Sequence, residues 1–184
     1  MKVNTKIDIL ALDFEVRNDY SPIHHIVKRL KTADSIQEKL ERLGLEVSIP
    51  SARENIRDIA GIRVVCNFIE DVYEVADMIT SQDDITLISC KDYIKNPKEN
   101  GYRSLHLAME VPVFLMDHKI DVPVELQIRT VAMDFWASLE HQLRYKQNNE
   151  GRISEKTNIE LKACAEVSAK LDLQMQKIFD EVKK

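Results

Sequence analysis

Three stretches of this 184-residue chain alternate apolar residues with residues that can do chemistry. In 122–130, Val124, Leu126 and Ile128 share one side, and Glu125, Gln127 and Arg129 share the other. In 102–111, Leu105, Leu107, Met109 and Val111 oppose Tyr102, Ser104, His106 and Glu110. In 62–68, Arg63 and Asn67 oppose Ile62, Val64, Cys66 and Phe68. A period of two is the signature of a strand. The polar sides admit two readings: an antiparallel sheet with one wet face, or a cleft floored by Glu125, Gln127, His106 and Tyr102. Lys91, Lys95, Lys98 and Arg103 flank the 91–103 segment, where point charges and guanidinium forks can fold over a polyphosphate. Lys28, Arg29 and Lys31 form a second basic cluster. Asp58 and Glu125 offer carboxylate oxygens to a hard cation of the kind magnesium is.

These groups need a scaffold, and the pattern predicts one. Residues 3–17 read as a helical lead-in. Ser21-Pro22 reads as a helix start, with Ile23, Ile26, Leu30, Ala33, Ile36, Leu40 and Leu43 spaced by threes and fours up to Gly44, so a single amphipathic helix is expected there. A small helix is expected near 52–58. Strands follow at 62–68, 85–89, 104–111 and 122–129, the last two joined by a loop around Asp117-His118. Helices are expected at 70–79, 131–146 and about 155–182, and residues 91–101 read as a loop. Strands mixed with helices predict an α+β (α/β) fold with a mixed sheet.

Composition narrows the function classes. The 26 basic and 31 acidic residues give a net charge of -5, which disfavours binding nucleic acid through a uniformly basic surface. No apolar run approaches the roughly 20 residues of a membrane helix, and the N-terminal stretch, interrupted by Asp8, Asp13 and Glu15, is a poor secretory signal. With only four glycines, neither GxxxxGK(S/T) nor GxGxxG occurs, so charged side chains must hold any nucleotide phosphates. The three cysteines lack a CxxC spacing. They fit a reducing cytoplasm and read as small buried hydrophobes.

DIAGIRVVCNF (58–68), DYIKNPKENGYRSLHL (92–107) and VELQIRTVAMDFWASLEHQLRYK (124–146) together resemble the synthetase domain of the RelA/SpoT family, above all its small stand-alone alarmone synthetases. SPIHHIVKRLKTADSI (21–36) fits as well, and AMDFWASLEH looks like the RelP type, the RelQ type being expected to carry asparagine in place of Asp134. The resemblance implies a nucleotidyltransferase-like mixed sheet flanked by helices. It also implies transfer of the β,γ-pyrophosphate of ATP to the 3′-hydroxyl of GDP or GTP, yielding ppGpp or pppGpp and AMP. By resemblance, Asp58 and Glu125 are the catalytic pair that holds Mg²⁺, and Glu125 takes the proton from the 3′-hydroxyl. Arg29 and Arg63 sandwich adenine, and Lys31 contacts the ATP phosphates. Tyr102 stacks on guanine, while Lys91, Lys95, Lys98 and Arg103 grip the acceptor's phosphates. His106 and Gln127 make polar contacts to the acceptor, Asp134 reads guanine N1–H and N2–H₂, and Glu140 and His141 support the site.

The hydrolase domain of larger members, with its His-Asp motif, is not expected here, and the chain is expected to begin one helix later than its relatives. Residues 1–150 read as the catalytic domain and 151–184 as a C-terminal helix of the same unit. In that helix Leu161, Cys164, Val167, Leu171, Met175, Ile178 and Val182 trace a near-heptad seam. With the family's homotetrameric habit, the seam predicts an oligomerisation helix; the alternative is packing on its own domain. Two other functions share the motifs: a toxic relative that pyrophosphorylates the 3′ end of tRNA, and a non-catalytic guanine-nucleotide sensor.

Overall fold

A computed structural model describes residues 2–56, 60–114, 116–147 and 154–183. Six helices and five strands follow one another in these stretches: α1 (Lys2–Asn18), β1 (Ile23–Leu30), α2 (Ala33–Arg42), α3 (Ile49–Asn55), β2 (Ala60–Cys66), α4 (Ile69–Thr80), β3 (Thr86–Asp92), β4 (Leu105–Phe114), β5 (Lys119–Thr130), α5 (Val131–Gln147) and α6 (Glu155–Val182). The strands form one sheet in the order β1-β2-β5-β4-β3. Only β2 and β5 run parallel; the β1–β2, β4–β5 and β3–β4 pairs are antiparallel. The expected mixed α/β architecture is therefore present.

The alternation seen in the sequence decides which side of the sheet is dry. Ile62, Val64 and Cys66 of β2, Leu105, Leu107, Met109 and Val111 of β4, and Val124, Leu126 and Ile128 of β5 are buried together with Val72, Val75, Ala76 and Ile79 of α4 and Ile7 of α1. Each large aliphatic side chain removed from water stabilises the fold by about 1.5–3 kcal/mol, so this cluster fixes the register. A one-residue slip of β5 would bring Glu125, Gln127 and Arg129 into it.

The expected long helix over 21–43 is instead a strand followed by a shorter helix. Ile23–Leu30 pairs with β2 along its whole length, and α2 starts only after Thr32, whose side chain accepts a hydrogen bond from the Ser35 amide. Ser21 caps nothing: its hydroxyl donates to the Ile23 carbonyl. Spacings of three and four in IHHIVKRL mimic a helix, but an edge position beside β2 supplies ladder hydrogen bonds that local periodicity cannot reveal. Gly44 does end α2, at φ +69°. The small helix begins earlier than expected, at Ile49, capped by Ser48 and with a proline in its first turn. β3 extends to Asp92, so Lys91 sits on a strand rather than in a loop. Only Cys66 of the three cysteines is buried.

α6 packs on α5 and α4 through its less apolar side. Ala165, Ala169 and Asp172 are buried, and Phe179 lies between Phe68, stacked at 4.1 Å, and Tyr20, at 5.3 Å. Trp136 of α5 donates to the Leu161 carbonyl at 2.8 Å, and Ser168 donates to the Ala132 carbonyl at 3.0 Å. Thr130, fully buried, closes the joint. Its hydroxyl accepts from the Met133 amide at 3.1 Å, capping α5, and donates to the Asp172 carboxylate at 2.6 Å.

Burial holds the Asp172 carboxyl above its ordinary pKa of 3.8, against the opposing pull of the Thr130 hydrogen bond and the Arg103 charge. A raised carboxyl pKa favours the fold at low pH, and that contribution is lost as pH rises through the folded-state value. Asp172→Asn is therefore expected to match or exceed wild type in thermal stability at pH 7. Its advantage should shrink as pH falls toward 3.8, as melting curves recorded across pH would show.

Candidate active site

The polar face of the sheet carries the groups singled out in the sequence, and the register sets them side by side. Along one row run Val27 (β1), Arg63 (β2), Gln127 (β5), His106 (β4) and Lys91 (β3). Along the next run Arg29, Gly61, Glu125 and Ala108. Glu125 thus has the two smallest side chains as its cross-strand neighbours, so space opens around its carboxylate. A cavity of about 220 Å³ lies there, lined by Val27, Lys31, Gly61, Ile62, Arg63, Glu125 and Gln127. Arg29 is described only through its backbone, and Asp58 lies outside the described residues.

A hydrogen-bonded chain joins these groups. His106 Nδ1 stands 3.3 Å from Glu125 Oε1, and its Nε2 is 2.8 Å from the Tyr102 hydroxyl. That hydroxyl accepts from Arg129 Nη2 at 2.6 Å, so one group ties the guanidinium to the imidazole. Arg129 Nη2 also donates to Gln127 Oε1 at 3.0 Å, and Arg129 Nη1 donates to Asp134 Oδ1 at 3.1 Å. The same Asp134 oxygen accepts from Arg63 Nη1 at 3.1 Å. Burial and the nearby Arg129 charge lower the Arg63 pKa, with Asp134 opposing them. Two guanidinium groups share one carboxylate, leaving the cluster one positive charge in excess.

The 93–104 segment carries Tyr102 and is pinned at several points. Asp92 Oδ1 accepts from the Ile94 and Lys95 amides, both at 2.9 Å. Asn100 donates to Glu140 of α5 at 3.2 Å and accepts from the Tyr102 amide at 3.2 Å. Glu140 is held in turn by Arg144, which gives the expected supporting residue a concrete task. Gly101 has φ +90°, and a Cβ there would meet the Ala165 Cβ of α6 at 2.5 Å, so only glycine fits. Tyr93, Tyr102 and His106 form an edge-on aromatic cluster, and the Lys98 ammonium lies 4.7 Å from the Tyr93 ring centre and 4.9 Å from that of Tyr102.

The structure therefore brings together Lys31, Arg63, Glu125, Gln127, His106, Tyr102, Lys98 and Asp134, with Lys91 at the edge of the row. Two expected phosphate ligands sit elsewhere. Lys95 pairs with Asp92 and lies 5.0 Å from the centre of the Tyr73 ring on α4. Arg103 borders a crevice with Gly101, Trp136 and Ala165, close enough to act on Asp172. Arg129 was visible in the alternation but not singled out. The signal was there: a cation on a strand two residues before a helix start, where strand and helix close over it.

Residues 28–150 match the model of a region found in RelA and SpoT proteins. The chain is 43% identical to the Bacillus subtilis GTP pyrophosphokinase YwaC over 98% of its own length and 85% of that protein's. It is 40% identical to the B. subtilis GTP pyrophosphokinase YjbM, over 98% and 83% respectively. Among solved structures, small alarmone synthetase 1 of B. subtilis bound to its product pppGpp superposes with a TM-score of 0.88 at 36% identity, covering all of this chain and 92% of that one. Small alarmone synthetase 2 of B. subtilis gives 0.88 at 43% identity, over 98% of this chain and 91% of that one.

The shared carboxylate makes a stability test. Removing one member of a buried ion pair strands the other charge at about 3–5 kcal/mol. Asp134→Ala is expected to cost about 3 kcal/mol, the lower end, because Arg63 retains 31% exposure. Asp134→Asn keeps an acceptor and should cost about half as much. Urea unfolding of the two variants beside wild type gives the comparison.

Proposed function

The chain belongs to the RelA/SpoT family and is a GTP pyrophosphokinase of the small alarmone synthetase kind, and from that premise we propose how its residues divide the work. The carrying observation is the Glu125 carboxylate, set between Gly61 and Ala108 at the floor of the cavity and backed by His106. The reaction joins the 3′-oxygen of GDP or GTP to the β-phosphorus of ATP. The bond from that phosphorus to the oxygen bridging it to the α-phosphate breaks, and AMP leaves. Glu125 receives the proton of the 3′-hydroxyl, with His106 Nδ1 standing 3.3 Å behind its Oε1.

Glu125 has the oxygen donor, the exposure and the unobstructed neighbours that a hard cation takes, and Mg²⁺ is commonly bound by one or two carboxylates together with substrate phosphates. Glu125 and Asp58 would hold it, and its charge would neutralise that developing on the transferred group. On the donor side, Arg63 and Arg29 stack on adenine, and Lys31, at the cavity wall, meets the phosphates. On the acceptor side, Tyr102 stacks on guanine, His106 and Gln127 contact the nucleotide, and Lys98 and Lys91 meet its phosphates. Lys95 and Arg103 reach those phosphates only by leaving the partners they have here. Asp134 reads the guanine edge through Oδ2, since Oδ1 already serves two arginines.

The near-heptad seam supports assembly as a homotetramer. Val167, Leu171, Met175, Ile178 and Val182 are between 44% and 79% exposed, while α6 uses other residues to pack on its own chain. With Val131 and Phe135 of α5 and Phe68, residues of this seam border an apolar groove of about 950 Å³, a surface that a second copy would remove from water. No helix among the described residues is long and apolar enough to cross a membrane, and the three cysteines are free. Both support action in the cytoplasm.

Glu125→Gln, assayed with Mg²⁺, ATP and GDP by resolving the nucleotide products, is expected to lose at least tenfold in rate, roughly 1.4 kcal/mol or more in barrier, with its melting temperature little changed. Activity above about a tenth of wild type would remove Glu125 from the catalytic role. Replacing Leu171 and Ile178 together with aspartate is expected to convert a tetramer to smaller species by light scattering. A monomeric wild type, or a variant that stays tetrameric, would defeat the assignment of the seam.

A further inference from the structure

We propose that Arg129 is the positioning residue of the acceptor-nucleotide site, its buried guanidinium holding Tyr102, Gln127 and Asp134 in one fixed arrangement. Arg129 is only 4% exposed and does not line the cavity beside Glu125, so it acts through its partners rather than on substrate. Four of its five N–H donors are engaged: Nε to Ser104 Oγ at 3.4 Å, Nη1 to Asp134, and Nη2 to both Tyr102 and Gln127. Those partners come from the β4 approach, from β5 itself and from the first turn of α5. One rigid planar group thus sets the spacing of three elements, which a lysine on a flexible stem cannot do. The guanidinium carbon also lies 5.0 Å from the Tyr102 ring centre, fixing the ring as well as its hydroxyl.

The effect extends beyond the ring. The Tyr102 hydroxyl that Arg129 holds also meets His106 Nε2 at 2.8 Å, and His106 Nδ1 stands 3.3 Å from Glu125 Oε1. Arg129 thereby sets where the acceptor base rests and, through Tyr102, steadies the imidazole behind the catalytic carboxylate. The inference rests on the reading that Tyr102 stacks on guanine.

Isothermal titration of the full-length protein with GDP, and separately with a non-hydrolysable ATP analogue, tests it. Arg129→Lys keeps the charge and loses the fork. It is expected to weaken GDP binding about tenfold, within the range that loss of one base stack covers, while the ATP analogue changes less than about threefold. A merely structural loss would weaken both ligands alike. Tyr102→Phe keeps the ring and removes the hydroxyl's bonds to Arg129 and His106, and should lose part of the GDP affinity. Combined with Arg129→Lys it should lose less than the sum of the two, because both changes break the Arg129–Tyr102 contact.

Unaltered GDP affinity in Arg129→Lys, equal losses for both ligands, or full additivity in the double variant would each overturn the proposal. Should Arg129→Lys fail to fold by circular dichroism, Tyr102→Phe carries the test: reduced GDP affinity supports the proposal and unchanged affinity overturns it. Tyr102→Ala separates the two layers. If it leaves GDP binding intact, the stacking reading falls and the positioning role with it; if it is damaging while Arg129→Lys is silent, only the positioning role falls.

Discussion

A guanidinium group cannot shed its charge inside a protein, so a buried arginine must find acceptors or unfold its surroundings. Arg129 meets that demand with Ser104, Gln127, Tyr102 and Asp134, and the polar half of the molecule is arranged around it. Asp134 is drawn to the start of α5, Tyr102 is held at the end of its loop, and Arg63 is brought across the sheet to share the carboxylate. Buried ion pairs return little net stability once desolvation is counted. What this one contributes is geometry: side chains from β2, β4, β5 and α5 converge within one hydrogen-bonded set.

The sheet makes that convergence possible by separating two jobs. One face is aliphatic and packs against α4 and α1; the other holds every residue of the network. Because β2 and β5 are parallel neighbours, Gly61 falls beside Glu125 and Arg63 beside Gln127. The antiparallel β4–β5 pair places Ala108 and His106 at the same two levels. Small residues at one level and hydrogen-bonding residues at the next produce a depression with a carboxylate at its bottom and a polar wall behind it.

Much of this was legible in residue order. Strict alternation in 102–111 and 122–130 exposed both faces of β4 and β5, because a period of two has few other causes. What misled was IHHIVKRL, whose spacing suits a helix and whose strand state depends on pairing with β2, some 40 residues away in sequence. The basic residues divided in a similar way. Lys98 and Arg63 reach the site, whereas Lys95 pairs with Asp92 beside the Tyr73 ring and Arg103 borders a crevice with Gly101 and Trp136. No local pattern announces such partners, since each contact is made across the fold. The importance of Arg129 is likewise a property of burial, which depends on α5 and the Tyr102 loop closing over it.

The same logic makes α6 a helix with two audiences. Its small residues face inward: the Ala165 Cβ leaves room for Gly101 and nothing larger, and Gly101 adopts a backbone conformation that other residues rarely adopt. The loop that carries Lys98 and Tyr102 is therefore seated through two adjacent residues, Gly101 on α6 and Asn100 on Glu140 of α5. Outward, α6 presents the Val167–Leu171–Met175–Ile178 seam. Both faces depend on how α6 is seated against α5, which Trp136, Ser168 and the Thr130–Asp172 bond hold in place.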